Sequence, residues 1–164
     1  MDGDLFCWGS NDHYQLGIGT MVQSPGIDRG QTMSILVPSV NPKVRNVVVV
    51  ACGWQHTIAI ADPINLTDNL TTHHESKAFC WGDNKFGQLG ILSDSAIVHC
   101  PTQINLSSLT QPYRVRSVSC GWKHSLLATA TGECLYAGFR LGKWPTWGVG
   151  SRYINSGCVP SHTN

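Results

Sequence analysis

Apolar residues fall into short runs along this chain, and nowhere do they adopt a convincing helical spacing. VRNVVVVACG (residues 44–53) and YRVRSVSCG (113–121) are rich in β-branched side chains and stop at a glycine. Such runs predict a buried strand that ends in a turn. HTIAIA (56–61) and HSLLATA (124–130) predict the next strand, and KAFCWG (77–82) and ECLYAG (133–138) a third, short and aromatic. NKFGQLG (84–90) reads as a tight, glycine-rich turn. Pro38 and Pro101 are expected in connecting segments that precede the next strand run.

The pattern is written more than once. LFCWGSNDHYQLG (5–17) returns as AFCWGDNKFGQLG (78–90), and ACGWQH (51–56) returns as SCGWKH (119–124). Both motifs recur in the same order, so the repeated unit is a whole module. A third copy opens at GECLYAG (132–138) and then loses the pattern. One small sheet cannot bury both of its faces alone, so short strands in modules of this size predict propeller blades. The expected architecture is all-β: two full repeats plus a degenerate third, forming an open arc or fragment of a propeller over residues 3–142. Residues 143–164 are polar, without strand alternation, and are expected to be a divergent, poorly ordered tail from an alternative exon or a shifted frame. Two departures stand out within the repeats. Tyr14 occupies the position of Gly87, which costs about 1 kcal/mol or more if that position needs positive φ. Ala137-Gly138 lacks the tryptophan of Trp8-Gly9 and Trp81-Gly82.

Composition narrows the function classes. Of 164 residues, 41 % are hydrophobic and 13 % charged, enough apolar material for a packed core. The net charge is +1 and no Lys/Arg run occurs, so neither a nucleic-acid nor a membrane-surface footprint is visible. No apolar run approaches the roughly 18 residues of a membrane span. MDGDLFCWGSND has acidic residues where a secretory leader has basic ones, so secretion is not expected. With seven cysteines, an odd number, reduced intracellular thiols are expected, in the cytoplasm or alternatively the nucleus.

Candidate chemistry begins with Cys52/His56 and Cys120/His124. A cysteine and a histidine four apart, twice, are either four zinc ligands or one structural unit repeated. Successive blades would hold the pairs too far apart for metal bonds of about 2.0–2.3 Å. The structural reading therefore leads. Cys52 and Cys120 are expected as small apolar residues at buried strand ends. His56 and His124 are expected as core histidines bonded to neighbouring backbone. Trp8 and Trp81 are expected to pack between blades. Gly9, Gly53, Gly82, Gly87 and Gly121 are structural repeat positions. Gly17 and Gly90 are too, since no Gly-Lys-Ser/Thr and no helix follows them to make a phosphate loop. His73-His74-Glu75 invites a metal or acid/base reading, but a solvated loop tip is expected. No cofactor is implied. No recognisable motif arranges a Ser/His/Asp set, and a metal-binding or hydrolytic enzyme is the minor alternative.

An insertion is more informative. The connection from HTIAIA to KAFCWG carries the polar run DPINLTDNLTTHHES, which its counterpart lacks. Insertions at fixed points of a repeat map to loops, and such loops often bind partners. Asn65, Asp68, Asn69, His73, His74 and Glu75 are the candidate partner-binding residues.

FCWGDNKFGQLG, Pro101-Thr102 and VRSVSCGWKHSLLATATGECLYAG together resemble the regulator of chromosome condensation repeat, over about residues 3–142. The resemblance implies a seven-bladed β-propeller that serves as a protein-interaction scaffold or regulator. Exchange-factor members displace nucleotide from a small GTPase with no covalent chemistry and no cofactor, so a small GTPase is the finer expectation for the partner. No family exchange residue can be placed on this chain. The Cys-Gly-Trp spelling is most similar to the secretion-regulating guanine nucleotide exchange branch. A truncated or non-functional isoform or fragment is the alternative. An open arc also exposes blade edges, so self-association is expected.

Overall fold

The computed structural model describes residues 3–19, 34–62, 76–91, 93, 95–106, 114–138 and 148–150. Ten strands and no helix lie among them. They are β1 (Phe6–Ser10), β2 (Ser34–Val40), β3 (Val47–Cys52), β4 (His56–Ala61), β5 (Lys77–Asp83), β6 (Ile97–Gln103), β7 (Val115–Cys120), β8 (His124–Thr129), β9 (Cys134–Gly138) and β10 (Gly148–Gly150). Every pairing is antiparallel between sequence neighbours. β1 and β2 form a two-stranded blade 1, β3 to β6 blade 2, and β7 to β10 blade 3.

Three strands depart from the expectation. β2 and β6 occupy segments read as connections, and each carries its proline, Pro38 or Pro101. Both are edge strands in their sheets. An edge is where a strand tolerates a residue with no N–H to give. β10 lies in the tail read as patternless and supplies the fourth strand of blade 3, with Val149 opposite Leu135. Its three residues are too few to show alternation.

The sequence repeat is out of phase with the blades. Each copy supplies the last two strands of one blade and the first two of the next: β1 to β4, then β5 to β8. A repeat is therefore a link between blades, and this explains how its conserved-looking spelling can be spread over two sheets.

The core lies between the blades. Along β4, alternate residues leave opposite faces of the sheet. Ile58 and Ile60 join Ala78, Cys80, Leu127, Leu135 and Ala137 in a cluster between blades 2 and 3. Ala59 and Ala61 join Leu5, Cys7, Leu16, Val44 and Trp81 in a second cluster between blades 1 and 2. Covered on both sides, β4 is buried at all six positions.

Candidate functional site

The motif that opens each repeat folds into the same loop twice. Asn11 Oδ1 accepts from the Leu16 amide at 3.1 Å, and Asn84 Oδ1 accepts from the Leu89 amide at 3.1 Å. Gln15 and Gln88 each accept, at 2.9 Å, from the amide two residues earlier. Tyr14 sits at φ 59° and Gly87 at φ 74°. The position thus needs a left-handed backbone, and Tyr14 bears that strain. Its ring lies 3.9 Å from that of His99 on β6, a contact glycine cannot make.

These loops clasp the next blade. The Gln15 carbonyl accepts from Trp81 Nε1 at 2.7 Å and from Thr57 Oγ1 at 2.8 Å. The Gln88 carbonyl accepts from Ser125 Oγ at 2.8 Å, Ser125 being the counterpart of Thr57. Gly17 lies against the Trp81 ring, where a Cβ would come within 2.7 Å of Nε1. Gly17 at φ 65° and Gly90 at φ 64° close the two loops.

His56 ties blade 2 to blade 3. Its Nε2 is 2.8 Å from Ser125 Oγ. The serine hydrogen goes to the Gln88 carbonyl, which can only accept, so His56 donates through Nε2–H and its Nδ1 is the bare acceptor. That Nδ1 is buried without a hydrogen-bond partner, and the ring packs on Gly53. Burial first, then the nearby His124, pulls the His56 pKa down to about 4, against the opposing pull of Asp83. The Nε2 partner is a side chain, and the backbone of His124 also acts on the ring.

Asp83, His56 and Ser125 thus come together, a set that no sequence motif announced. Ser125 and His56 are both fully buried. The serine proton is engaged with a backbone carbonyl rather than held by the histidine as a base would hold it. The set joins blades; a nucleophile needs an exposed oxygen and a base free to take its proton.

Other sequence-predicted residues divide sharply. Trp81 is fully buried but Trp8 is 57 % exposed, which corrects its reading as inter-blade packing. His124 is exposed, not a core histidine, and stacks its ring near Tyr136. Cys52 is exposed, not at a buried strand end. Cys120 is half-buried, and burial raises its thiol pKa to about 11, keeping it protonated. Gly53 and Gly121 both lie under their histidine rings. Gly9 and Gly82 share φ near 100°, at 99° and 101°. Among the described residues, no group of three or more His, Cys, Asp and Glu side chains is placed to hold a metal. Asn65, Asp68, Asn69, His73, His74 and Glu75 lie outside the described residues. Their flanks, Asp62 and Ser76, are joined at 2.8 Å, and Asp62 also pairs with Arg114 at 3.1 Å.

Trp54 and Trp122, each following the glycine of a Cys-Gly-Trp turn, were not singled out by the sequence reading. They are 60 % and 59 % exposed, and their rings meet edge to face at 4.5 Å. With Cys52, Gly53, Cys120 and Gly121 they line a shallow, open depression of about 440 Å3. The signal was present: the same large aromatic at the same turn in both copies. Because β4 and β5 are antiparallel, these turns share an end of the blades with the clasp loops. Asp62 and Ser76 lie at the opposite end.

The comparisons with known proteins agree with this geometry. The ultraviolet-B receptor UVR8 of Arabidopsis thaliana is 30 % identical over 157 residues, covering 92 % of this chain and 28 % of the receptor. Human protein RCC2 is 28 % identical over 134 residues, covering 80 % of this chain and 20 % of RCC2. The crystal structure of Prp20p from Saccharomyces cerevisiae, described with its binding to Gsp1p and histones, superposes with a TM-score of 0.56 at 27 % identity. It covers 81 % of this chain and 26 % of Prp20p. The chain therefore spans between a fifth and just over a quarter of these proteins. They are propeller relatives in general and do not single out the secretion-regulating branch. The Regulator of chromosome condensation (RCC1) repeat model matches residues 2–60 and 75–128. Each match begins in the last strands of one blade and ends in the first strands of the next, as the structure divides the chain, and the chain belongs to the RCC1 repeat family.

Proposed function

We propose that this chain is a protein-binding segment of an RCC1-type propeller, and that it docks its partner on the end of the blades that carries the clasp loops and the Cys-Gly-Trp turns. One observation carries the reading: Trp54 and Trp122 stand side by side, about three-fifths exposed, at equivalent turns. Leaving two indoles in water forgoes burial worth about 2 kcal/mol each. Tryptophan is also the residue type most enriched among binding anchors. The relatives support a protein as the partner, since Prp20p is described with its binding to Gsp1p and histones.

The finer expectation is action on a small GTPase, by displacing bound nucleotide without covalent chemistry or cofactor. The test is release of a fluorescent guanine nucleotide from a panel of loaded small GTPases, with core histones as a second ligand. Faster release from one GTPase, lost on Trp54→Ala with Trp122→Ala, supports exchange. Binding without release keeps the scaffold reading and removes exchange. Neither binding nor release from any ligand favours the alternative of a non-functional fragment. The polar run between Asp62 and Ser76, two residues at the opposite end, is a second candidate contact. Its deletion should leave the tryptophan-dependent binding intact.

A further inference from the structure

The protein-binding reading leaves the partner's chemistry open, and the surroundings of the two tryptophans narrow it; the following rests on that reading. The shallow depression at Trp54 and Trp122 is lined besides by two glycines and two cysteines, so it suits an apolar side chain laid across it. The charged groups on its Trp122 side have one sign. Lys85 is exposed on the clasp loop of blade 2. Lys123 holds its ammonium 4.0 Å from the Phe86 ring centroid and 4.9 Å from that of Trp122. Two aromatic rings thus fix this cation at the rim of the depression instead of leaving it to sweep through solvent. The acid of the same loop, Asp83, is buried, and its Oδ2 accepts from Gln88 at 2.8 Å. Beside Trp122 the exposed charge is therefore positive, while the exposed acid of the clasp loops, Asp12, lies on blade 1 and accepts from Ser10 Oγ at 3.0 Å. A cationic ligand such as a methylated amine is disfavoured, because Lys123 already lies against Trp122.

We propose that this rim docks an acidic protein segment bearing an apolar anchor. The anchor lies against the paired indoles of Trp54 and Trp122, and flanking carboxylates face Lys85 and Lys123. The indoles exclude water from the anchor, while the charges set orientation and the rate of encounter.

The test uses the full 164-residue chain and fluorescence anisotropy with three labelled peptides of equal length: alternating Glu and Leu, alternating Lys and Leu, and alternating Glu and Ser. The Glu/Leu peptide should bind most tightly, and its affinity should fall roughly tenfold from low to high salt. Trp54→Ala with Trp122→Ala should weaken it about tenfold or more. Lys85→Glu, an exposed change that should leave the melting temperature unaltered, should weaken it by a similar factor. Equal binding of the Lys/Leu peptide, or no effect of Lys85→Glu, overturns the acidic assignment. Equal binding of the Glu/Ser peptide overturns the anchor. If a natural partner loses affinity with the tryptophans removed but not with Lys85→Glu, the acidic assignment fails while the protein-binding reading stands. If neither change matters to it, both fail.

Discussion

Blades 2 and 3 are spelled by the same motif and buried by different rules. In blade 2, β4 is covered at every position, His56 is sealed, and Trp81 is out of reach of water. In blade 3, β8 alternates between buried Ser125, Leu127 and Thr129 on one face and exposed His124 and Leu126 on the other. The side chains facing blade 2 are covered because blade 2 is there. Those facing away have no described blade beside them. The clasp differs as well: the Gln15 carbonyl takes two donors from blade 2, Trp81 and Thr57, whereas the Gln88 carbonyl takes Ser125 and has no indole to accept from, Ala137 standing where a tryptophan would. A repeat position in this fold is core only when a neighbouring blade completes it. Residue type alone does not make it so.

The sharpest way to break this comparison is to remove the same residue from both contexts. Trp81→Ala should cost about 3–5 kcal/mol, since it empties a closed site and removes one of the two donors to the Gln15 carbonyl. Trp8→Ala should cost no more than about 0.5 kcal/mol, as for an exposed position. Urea unfolding of both variants measures the difference, and equal losses would mean that Trp8 has a cover the comparison lacks.

The histidines should separate next. His56→Ala should destabilise by about 1–3 kcal/mol by breaking the Ser125 link. His124→Ala should be nearly neutral, which moves to His56 the loss that the sequence would assign to both. His56 also predicts a pH dependence. Its folded pKa, lowered from 6.5 to about 4, means that the unfolded chain binds the extra proton first. Its contribution is therefore complete above pH 6.5 and is lost as pH falls towards 4, by about 1.4 kcal/mol per unit. The wild type should lose more stability over that window than His56→Gln, and identical slopes would contradict a buried neutral imidazole.

A smaller contrast separates Gly82 from Gly9. Alanine at either bears the backbone strain of φ near 100°, about 1–2 kcal/mol. At Gly82 the new methyl also meets His56 Cα at 2.7 Å, while at Gly9 it meets nothing within 4 Å. Gly82→Ala should thus lower the melting temperature further than Gly9→Ala.

Much of this was legible in the sequence, for identifiable reasons. Strands β3, β5, β7 and β9 announce themselves by β-branched or aromatic runs that stop at glycines, and β4 and β8 by the apolar runs that follow the Cys-Gly-Trp turns. The all-β blades follow from that pattern and its repetition. Strands β2 and β6 were hidden because a proline inside a polar run suggests a connection, and only an edge position admits it as strand. The left-handed turn at Tyr14 was readable by aligning it with Gly87. The identical spelling of the two copies, however, implies identical burial, and burial depends on which blade stands next. That is why Trp8, His124 and Cys52 were assigned to the core. The paired indoles were missed because two residues 68 positions apart meet only when successive blades pack, and a turn tryptophan gives no sign alone of pointing outward.

Hydrogen exchange of the indole N–H groups, followed by two-dimensional NMR in heavy water, tests the dependence on neighbouring blades most directly. The Trp81 N–H, bonded to the Gln15 carbonyl and buried, should survive long after those of Trp8, Trp54 and Trp122 have exchanged. Protection of Trp8 to the same degree as Trp81 would contradict the account, because the same motif would then be equally covered with and without a described blade beside it.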